Sequence, residues 1–556
     1  MIEITLIALA FIIFLSRTLI SHQAYEAFQG PTELIQYDPL KAYNGYTLFS
    51  PFRSRHTYLI DMEGNVAHMW AYPEGWGTPG GEAVEKHARL LEDGTLLRGT
   101  VNRAAGEKGA TYQMLDWDGK VLWQYKDPRE NYRAHHDFRM IWNPKLKAKT
   151  LMFVSSREIS HEAAIALGCD PALSGDYNTE PDGIVEVDMD GNVVWEWNIT
   201  DHLIQDLNPD GANYVGEGKT IADYPGKLDP NFGSGRKRDW IHINSFDHNE
   251  VLDQIVINNS VDSEFYVIDH GGTFIPGNPE ASIESAASPA GDFLFRWGNP
   301  GVYDSGDSPS LPGEGTENSI GHQQLFFTHD IQWIREKEVT PMGWKLSGSG
   351  HFLIFDNGTR RPGPTYSSVL EIDPYKGDWR DGVYVPQMDG GHNEWGVSNQ
   401  IVWCFRSSMP NAFFGHYISG CQRLPNGNTL IDSGPHGHFF EVTQKGEVVW
   451  EYISPVGDRT KDDSGIYEIL NDQTGGHFNA VFRCHRYGAD YPGLAGKELR
   501  SKGQITGIHS GCEKRPSPTV VLGGPSGFPP GIPQGFWPAG RPRGGPPGPP
   551  PGRPPK

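Results

Sequence analysis

Apolar and polar residues alternate along most of this chain, and a short glycine-bearing turn interrupts the alternation at intervals. Residues 57–70 read TYLIDMEGNVAHMW, 112–125 YQMLDWDGKVLWQY, 184–197 IVEVDMDGNVVWEW and 439–452 FFEVTQKGEVVWEY. Period-two runs on both sides of a tight Gly turn predict a β-hairpin. Two looser copies carry an insertion in place of the turn: FYVIDHGG at 265–272 with FLFRW at 293–297, and VLEID at 369–373 with QIVWCF at 400–405.

A second pattern precedes each hairpin: a strand pair that opens on histidine. The copies start at His87 (HARLLEDGTLL), His136 (HDFRMIWNPKLKAKTLMFV), His242 (HINSFDHNEVLDQIVI), His329 (HDIQWI, then HFLIFDNG), His416 (HYISGCQRLPNGNTLI) and His477 (HFNAVFRCHRY). The sixth copy has no hairpin after it, and residues 57–70 at the chain start supply one. Six four-stranded units that close on themselves predict an all-β, six-bladed β-propeller over residues 45–500. Closure removes the exposed sheet edge. Two stretches, 160–240 and 273–325, are rich in Gly, Pro and Asp without strand patterning, and are expected to be long loop insertions beside a site.

Composition alters this picture mainly at the ends and in the choice of partner. The chain has 556 residues and a net charge of −22, which argues against nucleic acid as a partner. An apolar run from Ile4 to Leu15 predicts an N-terminal hydrophobic helix within residues 1–24, serving as a signal peptide or membrane anchor, and hence an exported protein: periplasmic, at the cell surface or membrane-anchored. Residues 515–556 are dominated by Pro and Gly and predict a disordered tail, passive or docking on a partner. Five cysteines do not make a disulfide scaffold; Cys404 with Cys421, or Cys484 with Cys512, are conceivable pairs, and isolated thiols are the alternative.

The candidate chemistry follows from the fold. The innermost strand of each blade lines the channel, so a residue at its start faces the axis. His87, His136, His242, His329, His416 and His477 therefore predict a ring of imidazoles at one mouth. Clustered imidazoles can hold zinc or copper with carboxylates behind them, for which Asp137 and Asp330 are placed, but no metal-ligand spacing such as HExxH is present. No cofactor is called for. A neutral imidazole can also act as a nucleophile toward phosphorus or sulfur, with neighbouring cations and amides holding the oxyanion in flight.

Taken together, TYLIDMEGNVAHMW, HHDFRM, HINSFDHNEVLDQIVI, HDIQW with LIFDNG, GHFFEVTQKGEVVWEY and NAVFRCHRYGADYPGLAG resemble the bacterial arylsulfotransferase family, which does not depend on PAPS. The resemblance runs from about residue 45 to 500. It implies a six-bladed propeller, usually exported, that moves a sulfuryl group from an aryl sulfate to a phenol. It places the transient sulfo-histidine on His329 and the assisting groups on His136, His242 and Asn244, with His135 competing with His136 for the channel-facing position. One departure stands out: the family's sulfate-binding arginine aligns with Ser260, leaving Arg360 or Arg361 as substitutes and His87, His416 and His477 as further substrate contacts. Two other readings stay open. One is a non-catalytic propeller that binds a ligand or protein partner at the cell surface; the other is a metal-binding propeller enzyme.

Overall fold

The computed structural model describes residues 31–509, apart from Arg53, Arg55 and the segments 72–86, 101–108, 234–237, 310–319, 336–345, 377–399, 410–411, 461–466 and 471–478. The expected N-terminal helix, the Pro/Gly-rich tail, His477 and Cys512 lie outside the described residues. Among the described residues no helix is long and apolar enough to cross a membrane.

The alternating runs form the predicted strands, and the strands form six blades. From the channel outward, blade one is Ala88–Leu90, Leu96–Thr100, Thr111–Leu115 and Val121–Lys126; blade two is Tyr132–Asn143, Ala148–Arg157, Asp182–Val187 and Val193–Asn198. Blade three is Phe246–Asn249, Gln254–Asn259, Glu264–Asp269 and Phe295–Trp297; blade four is Thr328–Trp333, Phe352–Asp356, Ser368–Ile372 and Ile401–Phe405. Blade five is Gly420–Arg423, Thr429–Ser433, His438–Val442 and Val448–Ile453, and an unforeseen fifth strand, Glu33–Tyr37, pairs with its outer edge.

Blade six closes the ring, with one change from expectation. Its inner strand is Val481–Gly488, and the other three strands, Gly45–Pro51, His56–Ile60 and Val66–Ala71, all come from the start of the chain. The sequence reading assigned only the 57–70 hairpin to the N-terminal side. Gly45 to Pro51 alternates weakly because it is almost wholly buried, and such a strand loses its polar face.

The hairpin turns are built alike. In DMEGN, DWDGK and DMDGN the aspartate Oδ1 accepts the backbone N–H four residues on, at 2.8 Å for Asp61, 2.8 Å for Asp116 and 2.9 Å for Asp188. The glycine between adopts φ of 81°, 85° and 87°, a region a Cβ disfavours.

The tryptophans that close the hairpins tie each blade to the next. Trp70 Nε1 donates to Asp116 O (3.2 Å), Trp123 to Met189 O (2.8 Å) and Trp195 to Thr273 Oγ1 (3.0 Å). Trp297 then donates to Gln400 Oε1 (2.8 Å), Trp403 to Gln444 O (2.9 Å) and Trp450 to Met62 O (2.9 Å). The six bonds run once around the ring, and the last joins blade five to the N-terminal strands of blade six.

The two insertions pack onto the propeller. Leu203, Ile204, Val215, Ile221 and Leu228 of the first, and Phe293, Val302 and Tyr303 around the second, are buried in one cluster with the cores of blades two to four. The described cysteines, Cys169, Cys404, Cys421 and Cys484, are free, so the conceived Cys404–Cys421 pair is not formed.

Candidate functional site

The inner strands bring His136, His329 and His87 around a single ring, Phe482. Its centroid lies 6.0 Å from His136, 6.3 Å from His329 and 5.8 Å from His87. His242 packs edge-on against His136 at 4.7 Å. Phe482 sits at the start of the sixth inner strand, where the sequence reading expected a histidine-led strand from His477.

Each of the three histidines with an assigned role has Nδ1 committed. His329 is 3% exposed, and its Nδ1 lies 2.7 Å from Asn357 Oδ1. The orientation of that carboxamide is not arbitrary, because Asn357 Nδ2 donates to Gly415 O (2.5 Å) and Ile418 O (2.9 Å). With its N–H groups directed at two carbonyls, Asn357 presents oxygen to the imidazole. His329 Nδ1 therefore carries the proton, and the lone pair resides on Nε2.

His136 obtains its Nδ1 partner from His135. His135 Nε2 lies 3.1 Å from Asp182 Oδ1, and His135 Nδ1 lies 2.7 Å from His136 Nδ1. The Asp182 carboxylate accepts a hydrogen bond from His135 Nε2–H, which leaves His135 Nδ1 to accept from His136 Nδ1–H. The competition between His135 and His136 thus becomes a division of labour, with His135 between Asp182 and His136. His242 Nδ1 meets Asp239 Oδ2 at 2.6 Å. Burial raises the Asp239 carboxyl, but the charge and hydrogen bond of His242 outweigh it and hold the group below its usual value.

Backbone strain gathers at these positions. His136 (φ 58°), His242 (49°), and Phe327 (56°) and Asp330 (54°) on either side of His329 are left-handed non-glycine residues. Each costs roughly 1–3 kcal/mol and persists only where its surroundings enforce it.

Asn244 is fully buried and acts on the backbone of the strand that carries His329. Its Nδ2 donates to Thr328 O (2.8 Å) and to Ser260 Oγ, and its Oδ1 accepts from Asn258 Nδ2 (2.8 Å). Ser260 Oγ and Asn258 Nδ2 also reach Thr328 O, at 2.9 and 2.7 Å. Ser260, the position aligned with the missing arginine, is thus part of a polar knot that fixes the residue before His329.

The substitute arginines lie differently. Arg361 is buried, pairs with Asp356 and is flanked by Phe326 and Tyr366 at 4.4 and 4.3 Å; Arg360 is exposed with φ 71°. His416 is half-buried, and its carbonyl accepts from Thr359 Oγ1 at 2.7 Å. His87 is fully buried, stacked on Phe138 at 4.6 Å, with Nε2 3.0 Å from Asp137 Oδ1. Burial pushes its pKa down to about 3 despite that carboxylate.

Beneath Phe482 the axis is crossed by Arg483, which the sequence reading did not single out. Its guanidinium reaches Asp137 Oδ2 (3.0 Å), Asp330 Oδ1 (2.9 Å) and Asn244 O (3.5 Å), on blades two, four and three. A side chain from blade six can touch all three only at the centre. Gly420 makes room for it: a Cβ there would meet Asp330 Oδ2 at 2.7 Å and Arg483 Cγ at 2.9 Å. Asp137 and Asp330, considered above as carboxylates behind a metal, are therefore engaged with a cation. Asp137 is held well below the usual carboxylate range; burial opposes this, and Arg483, His87, Arg139 and Arg89 together outweigh it. Among the described residues the group with metal-ligand spacing is His248, Asp253 and His270, not the ring histidines. There His270 lies 2.7 Å from Asp253 and 2.9 Å from Glu186, one carboxylate at each ring nitrogen, as suits an imidazolium.

The arylsulfotransferase (ASST) family model matches residues 38–269. The arylsulfate sulfotransferases AssT of Escherichia coli O6:H1 (strain CFT073) and of Lelliottia amnigena are 23% and 21% identical over 443 and 439 residues, covering 75% of this chain and 63% of theirs. The match thus spans less than two thirds of the length of those relatives. Among solved structures, a Bacteroides caccae protein of unknown function is 11% identical with a TM-score of 0.37, covering 80% of this chain and 98% of its own. A streptogramin B lyase is 9% identical with a TM-score of 0.30, covering 84% and 95%. The family resemblance read from the sequence is borne out by the family match and the two relatives.

Proposed function

We propose that this chain, as a relative of the arylsulfotransferases, transfers a sulfuryl group from an aryl sulfate to a phenol through a covalent adduct on His329. The observation that carries the reading is the Asn357 carboxamide, held by two carbonyls so that it accepts from His329 Nδ1 and leaves the lone pair on Nε2.

In the first step Nε2 attacks sulfur, the N–S bond forms, and the S–O bond to the aryl group breaks. The phenolate leaves and takes a proton from the His136 or His242 imidazolium. Both side chains are linked to a carboxylate, Asp182 through His135 and Asp239 directly, which favours the charged form. In the second step the now neutral imidazole takes the proton of the acceptor phenol. The phenol oxygen attacks sulfur, the S–N bond breaks, and His329 returns to its starting state. Splitting one displacement into two is what a nucleophilic side chain contributes.

The sulfuryl oxygens need donors while charge shifts, a role this reading gives to His136 and His242. Without an arginine at Ser260, these imidazolium ions carry that load, and the rate should be more sensitive to pH than it would be with a permanent guanidinium. Export, on the strength of the Ile4–Leu15 run, is part of the same proposal. Its test is whether the protein is released by osmotic shock or pelleted with membranes, rather than retained in the cytosol.

The functional test is turnover of a chromogenic aryl sulfate by His329→Asn. Loss of turnover with an unchanged melting curve is expected. Retained turnover would remove the mechanism.

A further inference from the structure

The far end of the channel is chemically unlike the histidine mouth. A cavity of about 1440 Å³ opens there, lined by Arg89, Arg139, Arg335, Arg423, Arg486 and His485. In a chain of net charge −22 this concentration of cations is out of character. Its exposed or half-buried acids are Glu92, Glu250 and Asp490, while Asp330 is engaged by Arg483.

Three of these arginines have a carboxylate close by, although Arg423 Nε and Arg486 Nη2 make no hydrogen bond among the described residues. Arg423 pairs with Glu371 (2.7 Å), Arg486 with Glu441 (3.2 Å) and Arg335 with Asp247 (2.7 Å). The cavity floor is not balanced. Asp137 alone serves Arg483 at 3.0 Å, Arg89 at 3.5 Å and Arg139 at 4.0 Å, and Asp247 serves Arg139 as well as Arg335. Four guanidiniums there share three aspartates, 137, 247 and 330. Arg89 is the poorest served: its one contact is long, and its Nε is buried without a hydrogen-bond partner. The crowding shows in its neighbours. Burial, and then Arg89, lower the Arg139 guanidinium to about 10, and burial followed by Arg89 and other nearby cations depresses His485.

A cluster of forked donors with surplus charge in a half-enclosed cavity is suited to a tetrahedral oxyanion. The volume far exceeds that of a bare ion, which occupies on the order of 100 Å³ or less, and falls nearer the range of organic ligands. The walls beyond the arginines include Trp142, which is 46% exposed, Trp333 and Tyr487. We propose that this mouth binds an organic oxyanion, a phosphate or sulfate monoester, with its head on Arg89 and Arg139 and its body against these aromatic rings.

The test is isothermal titration of the full chain with phenyl phosphate, phenyl sulfate and inorganic phosphate at fixed ionic strength. Wild type should bind at least one ester more tightly than inorganic phosphate, and the ester with the higher affinity identifies the head group. Arg89→Gln should weaken binding by about tenfold or more and Arg89→Lys by less. If Arg89→Gln does not fold, Arg89→Lys with an unaltered melting curve and weaker ester binding takes its place as the supporting result. No ester binding to wild type, or ester binding indifferent to both Arg89 variants, would overturn the proposal.

Discussion

At the scale of single residues, the environment of His329 defines its chemistry. A carboxamide accepts at Nδ1 without favouring the imidazolium as a carboxylate would. Asn357→Ala should lower turnover by roughly tenfold to a hundredfold through loss of tautomer control, with little change in the pH profile. Asn357→Asp should do something different: a carboxylate stabilises the charged ring, so the acid limb of the rate profile moves to higher pH and activity recovers on the alkaline side. A simple structural role for Asn357 would give both variants the same profile.

His270 makes a prediction about stability. Burial lowers its pKa, but Asp253 and Glu186 outweigh burial and raise it to about 9. A folded-state pKa above the unfolded value of about 6.5 means the stabilisation is complete below pH 6.5 and is lost as pH rises toward 9. His270→Gln should therefore remove a decline in unfolding free energy on the order of 3 kcal/mol across that window, measured by denaturant titration at several pH values.

Which residues would matter was only half legible at this scale. The histidines drew notice as leaders of the inner strands, but the structure does not hold them to one blade position: His136 and His329 lie within their strands, whereas His242 and His416 each precede theirs by four residues. Their partners could not be found, because Asn357, Asp182 and Asp239 come from other strands or loops and share no spacing with the rings they orient. Arg483 was missed for a related reason: where the inner strands of blades two and four carry His136-Asp137 and His329-Asp330, blade six carries Phe482-Arg483.

At the scale of elements, the repeat was readable because each hairpin must alternate to bury one face, and each turn needs its Asp and Gly. The tryptophan that ends the hairpin was visible in sequence, but its bond to the following blade was not, since that bond joins two repeats. These bonds are stabilising elements in their own right. Trp450→Phe, at a fully buried site, should cost about 1–2 kcal/mol, and Trp403→Phe, at a half-buried one, less.

The inner strands have their own links. Asp137, Asp247 and Asp330 each accept a backbone N–H from the next blade: Phe246 at 3.2 Å, Trp333 at 3.0 Å and Cys421 at 2.8 Å. Asp137→Asn would leave Arg483 short of a counter-charge at the axis, and a loss of about 3–5 kcal/mol is expected in chemical denaturation. The strands Gly45–Pro51 and Glu33–Tyr37 escaped the sequence reading because neither belongs to a repeat in chain order.

At the scale of the whole molecule, the chain closes a ring and then divides its channel. Closure rests on Gly45–Pro51 pairing with Val481–Gly488 and on the Trp450 bond to Met62. Division rests on Arg483, which joins three blades and separates a histidine mouth from an arginine-lined one. A chain of such negative charge can handle anions only where cations are gathered locally; under the two proposals above, imidazoles would do this at one mouth and guanidiniums at the other.

The central claim is that His329 Nε2 becomes covalently sulfurylated, and the most direct measurement is peptide mass spectrometry after brief mixing with an aryl sulfate in the absence of acceptor. The account predicts a gain of about 80 Da, one SO₃, on the peptide carrying His329, lost when a phenol is added and absent from His329→Asn. Turnover with no adduct, or an adduct on another residue that persists in His329→Asn, would contradict it.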